Sequence, residues 1–332
     1  MQKRFKPHWT LKNPHVQTLF APLVRRKEQT ETHLEKFFFE DGDFVESVWY
    51  KDLPKNDQPI VILFHGLAGS IESPYAKNLM SALYKKGFAS VIMHFRGSYQ
   101  KENLLPRAYH SGDTADAKAW ILHIKEKYPD STLSAVGFSI GGNMLLKLLG
   151  EWGEESPLIS AVSVSAPMQL DISADTIERG FARVYQQHLL NPLKKSLLQK
   201  YKRFDMNQEL EIDEKTVENI ATIREFDERY TAKIHGFGSA ENYYLKCSAK
   251  QFLKHITTPT LIIHALDDPF MTPEILPTKD ELSPAITLEI SEHGGHVGFV
   301  SGTALRPKYW LDSRIVNWLI SFTIPTQKES IV

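Results

Sequence analysis

Short apolar runs alternate along this chain with longer stretches in which apolar residues recur at helical spacing. The short runs are rich in aliphatic residues and bounded by Gly, Pro or Asp, which is typical of buried strands; they cover residues 60–64, 89–94, 133–136, 159–164, 260–265 and 286–290. Helical spacing is clearest over 74–86, over 117–128 and near the end of the chain, over 309–322. Strands that alternate with helices predict an α/β protein whose mostly parallel sheet is covered by helices on both faces.

Two regions depart from this alternation. Residues 37–39 and 44–49 flank Asp41-Gly42-Asp43, a turn signal that predicts an antiparallel hairpin leading into the sheet and brings the predicted strands to eight. Residues 168–254 are mainly helical, polar and rich in Lys, Glu and Gln, with no convincing strand. We interpret this stretch as a helical cap inserted into a single α/β domain that spans residues 1–332.

Composition narrows the range of partners. Of the 332 residues, 39 are Lys or Arg and 40 are Asp or Glu, so the whole-chain balance gives no sign of a nucleic-acid or membrane-surface partner and favours a small-molecule substrate. The single cysteine, Cys247, cannot form an internal disulfide and indicates a reducing compartment. No apolar run approaches the length of a membrane span, and no signal peptide is evident. We expect a cytoplasmic protein without an integral membrane segment.

A candidate nucleophile stands at the centre of Gly137-Phe138-Ser139-Ile140-Gly141. A predicted strand runs into this motif and a predicted helix follows it, so Ser139 occupies a sharp strand-to-helix turn. Such a turn needs glycines two residues to either side, because the nucleophile has a strained backbone and larger side chains would collide. This context is that of the nucleophile elbow of the α/β-hydrolase fold, whereas the five residues alone could also form an ordinary tight turn.

A serine hydroxyl is a poor nucleophile unless a histidine accepts its proton and an acid orients that histidine. In this fold the acid follows a late strand and the histidine follows the next one. The run 260–265 leads into Asp267 and Asp268, either of which could be the acid. We prefer Asp268 because Pro269 stiffens the loop that presents it, and we expect Asp267 to cap the loop.

Two histidines, His293 and His296, follow the run 286–290. We assign His296 as the base because Gly294, Gly295 and Gly298 give its loop the freedom to carry an imidazole back to the serine. His293 is expected to make a hydrogen bond within the loop. A metal site at these histidines is disfavoured, since neither a His-Glu-x-x-His pattern nor a cysteine partner accompanies them.

An oxyanion hole in this fold uses the N–H after the nucleophile and one from the loop after the third strand. The corresponding residues are Ile140 and Leu67, the latter in the loop 65–70, with His65 expected to support that loop from below. A glycine loop without a role is the alternative interpretation. The chain has neither a phosphate-loop ending nor a dinucleotide fingerprint, so no cofactor is expected.

Seven motifs together resemble the AB hydrolase 4 family, in particular its bacterial YheT-type hydrolases. They extend over nearly the whole chain: Pro14-His15-Val16-Gln17-Thr18, His65-Gly66-Leu67, Arg96-Gly97, Tyr109-His110-Ser111-Gly112, the Ser139 motif continued to Asn143, Asp267-Asp268-Pro269-Phe270, and His293 to Phe299. The resemblance implies a Ser-Asp-His triad and ester chemistry. Eukaryotic members act as carboxylesterases, lipid hydrolases and ethanol acyltransferases and carry an N-terminal membrane anchor, which we do not expect here.

The leading hypothesis is a cofactor-independent carboxylic-ester hydrolase that works through an acyl-enzyme at Ser139. One alternative passes the acyl group to an alcohol instead of water, and another is a non-catalytic binding protein with this fold. The sequence leaves the acyl length, the alcohol group and the oligomeric state open. Some apolar residues of the insertion could line an acyl pocket or pack the cap, among them Phe181, Tyr185, Leu189, Tyr243 and Tyr244.

Overall fold

Eight strands form the central sheet of the computed structural model, which describes residues 4–26, 28–55 and 57–323. In chain order they are β1 (Thr32–Phe38), β2 (Phe44–Tyr50), β3 (Ile60–Phe64), β4 (Ala89–Met93), β5 (Leu133–Phe138), β6 (Leu158–Val164), β7 (Thr260–Ala265) and β8 (Ile286–Ser291). They lie in the order β1-β2-β4-β3-β5-β6-β7-β8. The pairs β1–β2 and β2–β4 are antiparallel and the others are parallel, which confirms the predicted eight-stranded, mostly parallel sheet.

The central strands are buried from end to end, because helices cover both faces of the sheet. One face packs against a core that includes Trp120 and Leu145, and the other packs against a core that includes Leu79 and Leu319. This double burial explains why strands β3, β5 and β7 read as nearly continuous apolar runs in the sequence.

The helices before β6 and after β8 are α1 (Pro14–Val24), α2 (Ala76–Tyr84), α3 (Thr114–Lys127), α4 (Ile140–Trp152) and α12 (Trp310–Thr323). Between β6 and β7 lie α5 (Leu170–Ile177), α6 (Ala182–Tyr201), α7 (Met206–Leu210), α8 (Glu214–Asn219), α9 (Ile223–Phe226), α10 (Ala232–Ile234) and α11 (Ala240–Cys247), which we call the cap helices. A short π-helix, Asp227–Thr231, joins α9 to α10. The exact bounds 168–254 of an insertion stay a prediction. Within the described ranges, no helix is long and apolar enough to cross a membrane.

Two elements are missing from the sequence-based prediction. Helix α1 precedes the sheet, and a small antiparallel hairpin of β9 (Val300–Thr303) and β10 (Arg306–Tyr309) precedes α12. Both contact the loop that follows β8. Because parallel strands end at the same edge of a sheet, the loops after β3, β5, β7 and β8 converge there, and α1 lies beside them.

Candidate active site

The turn between β5 and α4 holds Ser139 in a strained conformation. Its backbone has φ 52° and ψ −123°, a region that non-glycine residues rarely occupy. The Ser139 N–H donates to the Val164 carbonyl at 2.9 Å, and the Ser139 carbonyl accepts from Gly142 and Asn143 at 2.9 and 3.0 Å. These bonds fix the turn to β6 and to the start of α4, so the strain is held by the surrounding structure.

Both glycines around the serine are required by close packing, as the sequence predicts. A Cβ on Gly137 would lie 2.4 Å from the Gly141 carbonyl oxygen, and a Cβ on Gly141 would lie 2.5 Å from the carbonyl oxygen of His65. No real Cβ tolerates such distances from backbone atoms. The turn therefore brings the serine close to the loop after β3, where the second oxyanion donor is predicted.

The structure brings Ser139, His296 and Asp268 together although they lie far apart in the chain. Nε2 of His296 is 3.0 Å from Oγ of Ser139, and Nδ1 of His296 is 2.8 Å from Oδ2 of Asp268. An ionised carboxylate can only accept, so the proton of the neutral imidazole lies on Nδ1 and leaves Nε2 free to accept from the serine. The ring of Phe270 stacks on His296 at 4.0 Å and an angle of 5°, which fixes the imidazole plane.

The second predicted pair, Asp267 and His293, lies beside the first and makes different contacts. Nδ1 of His293 is 3.2 Å from Oδ2 of Asp267, and the Gly295 N–H donates to Oδ1 of Asp267 at 2.9 Å. This agrees with the expectation that one aspartate caps the loop while His293 bonds within it. Asp268, by contrast, accepts from the Phe270 N–H at 2.9 Å and from His296, so both of its oxygens are engaged.

Two residues of α1, Gln17 and Thr18, hold the His296 loop and were not predicted to take part. Thr18 Oγ1 donates to the Pro14 carbonyl at 2.8 Å and accepts from the His296 N–H at 3.0 Å. Gln17 is fully buried; it accepts from the Val300 N–H at 2.7 Å and donates to the Val300 carbonyl at 2.9 Å. Such residues are identified by a polar side chain that is buried and bonded to the backbone of another element. The sequence shows that Gln17 and Thr18 are polar, but it does not show that they are buried.

The His296 loop is itself strained. Val297 and Phe299 have positive φ angles of 57° and 46°, and the Val297 N–H donates to Oγ of Ser165 at 3.1 Å. At Gly295, where φ is +56°, a Cβ would lie 2.6 Å from the Pro14 carbonyl oxygen. Glycine is therefore needed there for contact with α1 as well as for loop flexibility. Contacts from α1 and from Ser165, the residue that follows β6, together impose the conformation that presents the imidazole.

The predicted oxyanion donors border the same space as Ser139. In the loop after β3, the N–H groups on either side of Leu67 are occupied: Gly66 donates to the Tyr75 hydroxyl at 2.9 Å and Ala68 to the Tyr109 hydroxyl at 3.1 Å. Among the described residues, neither the Leu67 N–H nor the Ile140 N–H donates to another protein atom. Two free N–H groups beside the serine are what an oxyanion hole requires.

His65 supports this loop from below and carries no charge. Its Nδ1 is 2.7 Å from the Gly66 carbonyl oxygen, and its Nε2 accepts from the Phe95 N–H at 3.2 Å. Burial lowers the pKa of His65 to about 4. The imidazole is therefore neutral, and its contacts agree with the structural role predicted for it.

A cavity of about 430 Å³ opens beside Ser139 and His296. Its walls are mostly apolar and come from α1, the cap helices and α12; examples are Leu19, Leu170, Ile177 and Ile315. Of the five insertion residues named from the sequence, the four that border the cavity are Tyr185, Leu189, Tyr243 and Tyr244. Phe181 does not border it and is half exposed instead. The cap helices therefore form a large part of the pocket wall.

Two carboxyl groups, Asp227 and Asp312, interrupt this apolar lining, and Asp312 is paired with Arg25. Asp227, in the π-helix, accepts from the Tyr244 hydroxyl at 2.8 Å and keeps some accessible surface because it borders the cavity. Burial raises the pKa of Asp227 to about 6. Among the described residues, no cluster of three or more His, Cys, Asp or Glu side chains could hold a metal ion.

The strand order, the strained serine turn and the convergence of Ser139, His296 and Asp268 define a protein of the α/β-hydrolase class. Residues 59–303 match the family model described as alpha/beta hydrolase fold, and the chain belongs to that family. A curated relative from Escherichia coli, "Putative esterase YheT", is 41% identical over 319 residues, which cover 96% of this chain and 93% of the relative. The resemblance to the AB hydrolase 4 family is confirmed.

A second curated relative comes from a mammal. "Phospholipase ABHD3" of Mus musculus is 27% identical over 303 residues, covering 89% of this chain and 73% of the relative. Among solved structures, the Pyrococcus furiosus esterase Pf2001 superimposes with a TM-score of 0.58 at 16% identity, covering 97% of each chain. At that identity the likeness supports the fold alone.

Proposed function

We propose that the protein hydrolyses small-molecule carboxylic esters through an acyl-enzyme intermediate on Ser139. The observation that carries the proposal is the continuous contact from Ser139 Oγ through His296 to Asp268, at 3.0 and 2.8 Å, at the edge of an apolar cavity. The relatives named as an esterase and a phospholipase support ester chemistry, since both names describe ester hydrolysis.

In the first half of the reaction, Ser139 Oγ attacks the ester carbonyl carbon while its proton passes to Nε2 of His296. The resulting imidazolium is stabilised by Asp268, which stays ionised. Collapse of the tetrahedral intermediate breaks the bond to the alkoxy oxygen, and Nε2 returns the proton to the departing alcohol. The acyl group is then esterified to Ser139.

In the second half, water takes the place of the alcohol. His296 accepts a proton from water, the hydroxide attacks the acyl carbon, and the proton returns to Ser139 Oγ as the carboxylic acid leaves. In both halves negative charge develops on the carbonyl oxygen, and the Leu67 and Ile140 N–H groups are placed to donate to it. Such preorganised donors contribute about 10²- to 10³-fold each to the rate in acyl-transfer enzymes.

The cap helices form much of the pocket in which we propose that the ester substrate binds. Their apolar residues and α1 enclose a volume at the lower end of the range for small-molecule sites, about 300 to 1,000 Å³. We therefore propose residues 168–254 as a cap that selects the substrate, above a domain that performs the chemistry. Cytoplasmic location stays a prediction, supported by the buried free thiol of Cys247.

The test is hydrolysis of short p-nitrophenyl esters by Ser139→Ala, with Ser321→Ala as the matched control. Ser321 is exposed on α12 and its hydroxyl donates to the Trp318 carbonyl, away from the cavity. We expect kcat/KM to fall about 10³- to 10⁶-fold in Ser139→Ala and to stay unchanged in the control, with both variants folded by circular dichroism. Turnover by Ser139→Ala at the parent rate would contradict the proposal.

Two further outcomes separate the alternatives. If ethanol in the reaction diverts most of the acyl group into an ethyl ester, the protein is an alcohol acyltransferase working through the same intermediate. If neither esters nor a fluorophosphonate probe react at Ser139, the non-catalytic interpretation replaces the proposal.

A further inference from the structure

Helix α1 has an inverted distribution of polar and apolar residues. Its 11 residues include no Lys, Arg, Asp or Glu, and its buried face carries the polar pair Gln17 and Thr18. Its outward face carries apolar residues at positions i, i+4, i+7 and i+8, namely Val16, Phe20, Leu23 and Val24. Three of these four side chains, Val16, Leu23 and Val24, are exposed.

The outward face of α1 continues onto two neighbouring segments. The ring of His15 lies 4.6 Å from the ring of Phe181 at the start of α6, and the Arg25 guanidinium lies 4.0 Å above the Tyr309 ring at the base of the β9–β10 hairpin. We call the exposed apolar residues of these three segments the α1 patch: Val16, Leu23, Val24, Phe181, Val184 and Leu305. Leu23 is 78% exposed and Leu305, at the tip of the hairpin, is 95% exposed.

The segments that carry the patch are strongly basic in a chain of net charge −1. Residues 4–26, 177–188 and 300–309 hold five, two and two Lys or Arg residues, and their single carboxylate is Glu178. Arg25 is paired with Asp312, whereas others, such as Arg26 and Arg183, are exposed beside the apolar residues. Exposed apolar side chains with exposed cations next to them in the chain, such as Val184 beside Arg183, are the pattern of a surface that enters the headgroup layer of an anionic membrane.

The patch is also continuous with the entrance to the active site. Leu19 and Pro22 on α1 and Tyr185 on α6 border the cavity, so the helices that present the patch also form the wall beside Ser139. We infer that the α1 patch docks the protein on the surface of an anionic lipid bilayer, with the cavity open toward ester substrates dissolved in that layer. The docking on lipid does not depend on the proposed function, whereas the entry of ester substrates from the bilayer into the cavity rests on it.

A second copy of this chain is a less suitable partner for the α1 patch than a lipid surface. A twofold contact through the patch would bring the same basic segments of two molecules against each other, and like charges across an interface oppose association. An anionic lipid surface complements the same charges. Each Lys or Arg held close to such a surface strengthens binding about fivefold.

The test is co-sedimentation with vesicles of phosphatidylcholine alone or of phosphatidylcholine mixed with phosphatidylglycerol. We expect binding to the mixed vesicles, at least about tenfold weaker binding to phosphatidylcholine alone, and weakening by added salt. The double variant Leu23→Ser, Leu305→Ser should lose at least about tenfold in vesicle affinity while its turnover of a water-soluble p-nitrophenyl ester stays unchanged. Leu122→Ser, at an exposed position of α3 outside the α1 patch, is the control and should bind like the parent.

Several outcomes would overturn the inference. The inference is wrong if the parent protein does not bind anionic vesicles, or if the double variant binds them as strongly as the parent. It is also wrong if ultracentrifugation shows a concentration-dependent dimer that the double variant abolishes. The Ser139→Ala protein should bind vesicles like the parent. Vesicle binding by an inactive parent would refute the proposed function and leave the docking intact, whereas an active parent that ignores vesicles would refute the docking alone.

Discussion

Two aspartate–histidine pairs lie side by side at the end of the sheet, and only one of them contacts the serine. Asp268 and His296 have side chains 0% and 10% exposed, whereas Asp267 and His293 are 17% and 31% exposed. The first pair continues to Ser139 Oγ, and the second closes its own loop through the Gly295 N–H. The same two residue types thus make different contacts, although the aspartates are adjacent in the chain and the histidines are three positions apart.

The difference shows what selects a candidate catalytic pair in this fold. Adjacent residues at the end of a strand point in different directions, so β7 can aim only one of its two aspartates at the serine side of the sheet edge. The His296 ring is then fixed from three sides, by Asp268, by the stacked Phe270 and by the α1 contact to its backbone. His293 also has an aspartate partner, but within the described residues no ring stacks on it and no contact from α1 holds its backbone.

The largest contrast is expected between the two histidines. His296→Ala removes the group placed to accept the serine proton, so kcat/KM for a p-nitrophenyl ester should fall about 10³- to 10⁶-fold. His293→Ala removes a partly exposed loop hydrogen bond and should change kcat/KM less than about threefold. Steady-state kinetics on both variants measures the contrast. If both variants lost kcat/KM equally, contact with Ser139 would not distinguish the catalytic histidine from the other one.

A smaller contrast is expected between the aspartates. Asp268→Asn keeps the shape but offers an amide in place of the carboxylate, so the imidazole loses its orienting charge and kcat should fall about 10²- to 10⁴-fold. Asp267→Asn should stay within about tenfold of the parent, because it weakens a loop cap. A greater loss in Asp267→Asn than in Asp268→Asn would reverse the assignment of the acid.

The smallest effect concerns the α1 contact that only the His296 side possesses. Thr18→Val removes the acceptor of the His296 N–H. Because a lost hydrogen bond of about 1 kcal/mol corresponds to about a fivefold change in rate, we expect kcat to fall about fivefold while KM stays unchanged. Thr18→Ser keeps the hydroxyl and should restore kcat, which a purely structural role would not require.

The matched control for that change is Thr176→Val. Thr176 makes the same kind of bond, to the carbonyl four residues earlier at 2.7 Å, but in α5 and away from the His296 loop. It should leave kcat as in the parent. If both threonine variants lose equally, the Thr18 effect is one of helix stability and the positioning role is wrong.

The sheet could be predicted from the sequence because buried parallel strands leave a local signal. The runs at β3, β5 and β7 are largely apolar, with Ser134, Thr260 and His264 as the polar exceptions, and are flanked by breakers, so each is recognisable from its own residues. The positions of Ser139, Asp268 and His296 follow from strand order, since each lies just after a recognisable strand. The choice between neighbouring aspartates also rested on a local feature, Pro269.

Other features depend on contacts between distant residues and escaped prediction. Helix α1 has no amphipathic signal of the usual kind, because its buried face is polar and its outward face apolar. In the sequence, Arg96 stands out only as part of the short motif Arg96-Gly97, yet its side chain is buried among Asp41, Asp43 and Asp116 and joins the first hairpin to α3. Which cap residues line the cavity depends on how several short helices pack, and no local pattern encodes that arrangement.

The proposed role of Ser139 is tested most directly by locating the covalent adduct that a serine-reactive probe forms. The protein is treated with a fluorophosphonate, digested, and analysed by mass spectrometry, with His296→Ala and His293→Ala treated in parallel. We predict one adduct per chain, on the peptide that contains Ser139, formed at the parent rate in His293→Ala and at least about 10²-fold more slowly in His296→Ala. An adduct on another residue, or labelling of Ser139 that does not depend on His296, would contradict the account.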